Sequence, residues 1–219
     1  MFSKTLVLSL LPISALAHYK LTFPPGRGFD ESGIVNFPCG GFNTPSNNRT
    51  SVPLTGTFPI QLSMEHTSVK GAVFMALGNN PQSAFSIPLR NTFQETGPDN
   101  FCIGGVTIPS NLNITEGTNA TIQVVTNGDP NGGLYQCADV TFTNTALSSS
   151  DYNAHCTNST GVSANFIANT LPNGTASTTG TSGSGTATAS ATSKAWAAQK
   201  TVAPYLLGAM GLIGSLAAL

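Results

Sequence analysis

The 219-residue chain carries 8 Lys and Arg against 9 Asp and Glu, and its formal net charge is −1. No basic cluster is present to neutralise phosphates, which excludes nucleic acid as a partner. With 23 Gly and 14 Pro beside abundant Asn, Ser and Thr, the composition is that of a turn-rich chain, and an all-β fold is expected.

In chain order, Met1 to Ala17 reads as a secretory signal. Lys4 supplies the positive start, Leu6 to Leu11 the apolar core, and Ala15-Leu16-Ala17 a small-x-small cleavage site. The apolar run is shorter than the ~20 residues that span a bilayer, and cleavage after Ala17 leaves His18 as the first mature residue. Residues 18–168 then form a single predicted domain. Within it Phe58 to His66, Val69 to Leu77, Ala120 to Thr126 and Leu134 to Thr143 are rich in β-branched and aromatic residues. Turn formers such as Asn79-Asn80-Pro81 and Asn127-Gly128-Asp129-Pro130 separate them, the spacing of a β-sandwich. Period two along the last run puts Leu134, Ala138, Val140 and Phe142 on one face and Tyr135, Cys137 and Asp139 on the other.

Cys39, Cys102, Cys137 and Cys156 all fall in this domain, and secretion places them where thiols oxidise. Two disulfides are expected; the spacing leaves all three pairings open. Absence of any C-x-x-C pair argues against a zinc site. Sequons at Asn48, Asn113, Asn119, Asn158 and Asn173 mark expected glycosylation sites.

Residues 169–193 form a linker in which Thr175 to Ser193 is almost wholly Thr, Ser, Gly and Ala, too poor in apolar surface to offset the entropy of ordering. Lys194 to Thr201 is a short polar spacer, and Val202 to Leu219 is apolar and uncharged to the last residue. That order reads as a GPI-anchor signal, with attachment in the window 183–193, assigned to Ser190, and residues 194–219 removed. A plain transmembrane helix is the alternative, but nothing charged follows the tail.

A histidine at a mature N-terminus can chelate one metal ion through its α-amine and its ring Nδ1. Copper(II) suits such nitrogen donors, and its binding displaces a proton from the amine, so acid weakens it. Only two other histidines could assist: His66, at the end of a strand-like run, is preferred over His155, which sits in a polar loop beside Cys156.

The chain resembles the fungal X325, or copper acquisition factor Bim1-like, family, relatives of lytic polysaccharide monooxygenases. The resemblance rests on the signal ending Ala-Leu-Ala, on His18-Tyr19-Lys20-Leu21-Thr22-Phe23-Pro24-Pro25, and on Phe37-Pro38-Cys39-Gly40-Gly41. Met64-Glu65-His66, Tyr135-Gln136-Cys137-Ala138-Asp139-Val140 and the low-complexity tail complete it. It implies an immunoglobulin-like sandwich and one copper(II) in a histidine brace of His18, through amine and ring, and His66, with Asp139 as the carboxylate ligand. A carboxylate ligand implies binding without catalysis, hence no catalytic residues: a protein of copper acquisition or homeostasis, anchored at the plasma membrane or wall, with a copper transporter or reductase as partner. The alternative is an oxidative enzyme acting on wall glycans, and a metal-free wall glycoprotein is a third reading.

Overall fold

The computed structural model describes residues 18–128 and 132–167. The signal, the linker with Ser190 and Asn173, and the apolar tail lie outside the described residues; among the described residues no helix is long and apolar enough to cross a membrane.

Among the described residues nine strands form two sheets: β1 (Tyr19–Phe23), β2 (Thr50–Pro53), β3 (Phe58–Met64), β4 (Ser68–Leu77), β5 (Ile87–Thr96), β6 (Asp99–Val106), β7 (Asn119–Gly128), β8 (Gly132–Thr143) and β9 (Ser163–Phe166). The smaller sheet has the order β1-β3-β6; the larger has the order β2-β8-β7-β4-β5-β9. All pairings are antiparallel except β2 with β8. A six-residue helix, α1 (Ser149–Ala154), is capped by the Ser148 side chain, which accepts from the Asp151 N–H.

The strands exist because their apolar residues recur on one face. Tyr19 and Leu21, Phe58, Ile60 and Leu62, and Phe101 and Ile103 come from the small sheet. They meet Val73 and Met75, Ile122 and Val124, and Ala138, Val140 and Phe142 from the large one in one buried cluster. This is the expected sandwich, and β8 has the expected faces: Leu134, Ala138, Val140 and Phe142 are in the core, while Tyr135 joins a separate cluster with Ala72 and Val125. The four strand-like runs correspond to β3, β4, β7 and β8, with β3 stopping at Met64, so that His66 lies in the turn before β4.

The cysteines pair as Cys39–Cys137 and Cys102–Cys156. The first bond fastens the long segment between β1 and β2, residues 24–49, to β8. Gly40 makes that approach possible: its φ is +64°, and a Cβ there would stand 2.4 Å from the Tyr135 carbonyl oxygen. Asn48, Asn113 and Asn158 are exposed. Asn119 is half-buried in β7, its amide donating to Asn79 Oδ1 and accepting from Thr141 Oγ1.

Candidate metal centre

His18 enters the structure as the residue before β1. Its carbonyl accepts from the Glu65 N–H at 3.0 Å, one step beyond the Tyr19–Met64 pair, so the β1–β3 ladder runs on past the end of both strands. This register puts Glu65 beside His18 and His66 one residue further along the chain. Tyr19 points into the core; alternation turns the flanking His18 and Lys20 to the other side of the sheet, where Phe29 lies over them. The His18 and Phe29 rings meet edge to face at 6.1 Å, and Lys20 Nζ stands 4.8 Å from the Phe29 centroid.

The residues gathered here have the chemistry of a cation site. Donor atoms of His18, Glu31 and Glu65 all lie within 4.8 Å of one another. His18 is only 7% exposed, and its Nδ1 is buried without a hydrogen-bond partner; Nε2 of His66 is in the same condition. Leaving a buried polar atom unsatisfied costs about 1–3 kcal/mol, so two orphaned imidazole nitrogens on adjoining segments need an explanation. A metal ion supplies one, because it takes up the lone pairs that no protein donor reaches. Of the two carboxylates, Glu65 is engaged by Lys20 at 3.5 Å, an exposed pair of small worth, while Glu31 is exposed and has no ion pair among the described residues.

His66 is not within the tight His18–Glu31–Glu65 group, but it contributes the second orphaned nitrogen. His155 is used elsewhere, its ring stacked on Phe23 at 4.0 Å.

Asp139 does not fit the ligand role expected of it, and the reason is its surroundings. Its side chain is fully buried and both oxygens are taken: Oδ2 accepts from Arg27 Nε (2.8 Å) and the Ser46 N–H (2.6 Å). Oδ1 accepts from the second Arg27 nitrogen (2.7 Å) and Thr121 Oγ1 (2.7 Å), with Arg49 at 3.6 Å. Burial by itself pushes its carboxyl up, but the hydrogen bonds from Arg27, Thr121 and Ser46 and the Arg27 charge outweigh that and hold it below the usual range. A carboxylate so enclosed has no lone pair left for a metal.

Glu31, Glu65 and Arg27 are what reading the chain missed. Glu65 stands inside the Met64-Glu65-His66 segment and was within reach of an argument from neighbourhood; Glu31 lies in a segment with no periodicity to read.

A family model described as copper acquisition factor BIM1-like matches residues 16–161. The chain belongs to the BIM1-like family. Membership makes its function a copper-related one, and the histidine and carboxylate donors here are compatible with that. Copper acquisition factor BIM1 of Cryptococcus neoformans var. grubii is 32% identical over 62% of this chain and 64% of its own length. A lytic polysaccharide monooxygenase-like X325 protein of Yarrowia lipolytica is 32% identical over 75% of this chain and 62% of its own. An uncharacterized Aspergillus fumigatus protein is 44% identical over 74% of this chain and 67% of its own. This BIM1-like chain thus spans about two thirds of the length of these relatives.

Proposed function

We propose that this BIM1-like protein binds one copper(II) ion outside the cell, in acquisition or homeostasis, without turning over a substrate. The observation that carries the reading is the pair of buried, unpartnered nitrogens, Nδ1 of His18 and Nε2 of His66. With removal of Met1 to Ala17, the freed α-amine adds a third nitrogen, and Glu31 takes the carboxylate role in place of Asp139. Three nitrogens and one carboxylate oxygen are donors that copper(II) prefers and copper(I), a softer ion, does not. Release would then accompany reduction, and a GPI anchor in the 183–193 window would keep the ion near a membrane reductase or transporter. Glycans on the exposed Asn48, Asn113 and Asn158 fit the same extracellular setting.

Titration calorimetry and electron paramagnetic resonance of chain beginning at His18 test the proposal. One copper(II) is expected, with affinity falling by at least ~100-fold when a residue is left in front of His18 or when His66 is replaced by Ala. Failure of the correctly trimmed chain to bind copper ends the reading. Relatives named lytic polysaccharide monooxygenase-like keep an enzymatic reading in play. Reductant-dependent oxidised sugars from wall glycans, lost on substitution of His18, would establish it instead.

A further inference from the structure

The segment that carries Phe29 and Glu31 has no strand or helix of its own, so its position against His18 comes from anchors on either side: Ile34, buried in the core with its carbonyl accepting from the Tyr135 N–H at 2.8 Å, and Arg27. Arg27 is the anchor on the N-terminal side of Phe29. Its backbone N–H donates to the Cys137 carbonyl at 2.8 Å. Its guanidinium forms a two-point pair with Asp139 and also reaches Thr121 Oγ1 and the carbonyl oxygens of Phe42 and Asn43, at 3.0, 3.3 and 3.0 Å. Asp139 then holds the Ser46 N–H. One buried ion pair thereby ties three places in the segment to β7 and β8.

We propose that Arg27 and Asp139 are positioning residues for the His18 site: gripping each other, they set Phe29 and Glu31 against the His18 ring. This rests on the copper reading for its metal readout, but the placement of Phe29 can be tested without metal. The physical case is one of leverage. Glu31 lies four positions after Arg27, a reach of up to roughly 13 Å when extended, and three before Ile34, so a loosened Arg27 leaves Phe29 and Glu31 held from the Ile34 side alone and lets the carboxylate shift away from the 4.8 Å group. The Cys39–Cys137 bond lies further along and keeps the rest of the segment attached, so the loss is local. Lysine cannot substitute for the planar fork that meets both carboxylate oxygens at once.

The test compares Arg27→Lys and Asp139→Asn with the unaltered chain beginning at His18, each confirmed folded by circular dichroism and studied well below its melting temperature. Without metal, the His18 ring proton shifts in NMR report the Phe29 edge 6.1 Å away and are expected to move in both variants. With copper(II), both are expected to bind about tenfold more weakly and to shift their paramagnetic resonance parameters toward those of Glu31→Gln. Ile122→Val, a core change in β7, lowers the melting temperature and should alter neither readout. Unmoved His18 shifts in folded Arg27→Lys and Asp139→Asn overturn the proposal. Moved shifts in a chain that binds no copper uphold the positioning and remove the copper reading.

Discussion

Two carboxylates facing opposite environments show how much a single residue's surroundings decide. Asp139 is saturated by donors and stays ionised, whereas Glu95 on β5 is fully buried with neither carboxylate oxygen hydrogen-bonded. It stands across from Val69 on one side and Ala164 on the other, and burial pushes its carboxyl from 4.5 to about 7. Because the folded state keeps the proton to higher pH than the unfolded chain, stability is greatest below about 4.5 and declines as pH rises to about 7. The decline from this group is at most about 3 kcal/mol. Urea melts across that window should show the slope in the native protein and a flatter profile in Glu95→Gln. Asp139 has the reverse sign: its contribution is present at neutral pH and is lost as pH falls below the ordinary carboxylate range.

Among the elements, β1 matters most to the site, since its direction sets where His18 points. It is an edge strand of the smaller sheet, yet it is tied across the sandwich as well as along its ladder. Tyr19 Oη donates to the Val124 carbonyl at 2.7 Å, and Gln136 accepts from the Leu21 N–H while its amide donates to the Tyr19 carbonyl. Tyr19→Phe should therefore cost about 1–2 kcal/mol in denaturant unfolding, mostly through the buried Val124 carbonyl left with one partner fewer. In the segment after β1, Gly40→Ala should be worse tolerated than its small size suggests. The new methyl meets the Tyr135 carbonyl at a backbone angle that L side chains rarely adopt, and a destabilisation of about 1–3 kcal/mol is expected on thermal melting.

For the molecule as a whole, the disulfides close long stretches of chain, 98 residues for Cys39–Cys137 and 54 for Cys102–Cys156. The second fastens β6 to the polypeptide just after α1, far from His18 in the chain. Replacing Cys102 and Cys156 together by Ala should lower stability by roughly 2–4 kcal/mol, read from denaturant midpoints, while leaving the copper affinity of the folded protein unchanged.

The sandwich, four of its strands, the two faces of β8 and the oxidised cysteines were readable along the chain, because alternation and turn residues are local signals and thiol state follows compartment. His18 and His66 could be singled out as candidate donors along the chain, since a chain with three histidines offers few choices. Short strands such as β1, β2 and β9 were not, as four or five residues carry too little pattern. Asp139 is the instructive case: period two correctly turned it away from Val140, but only the folded chain shows that the face it joins is roofed by Arg27 and Ser46 rather than opened to a metal. What sits on top of a strand comes from residues a hundred positions away, brought there by the register of β1 with β3 and by a disulfide whose partner the spacing did not specify. Sequence alone determined which residues could alternate, oxidise or chelate; the tertiary fold decided which of them meet, because meeting depends on loop closure and burial that no local pattern encodes.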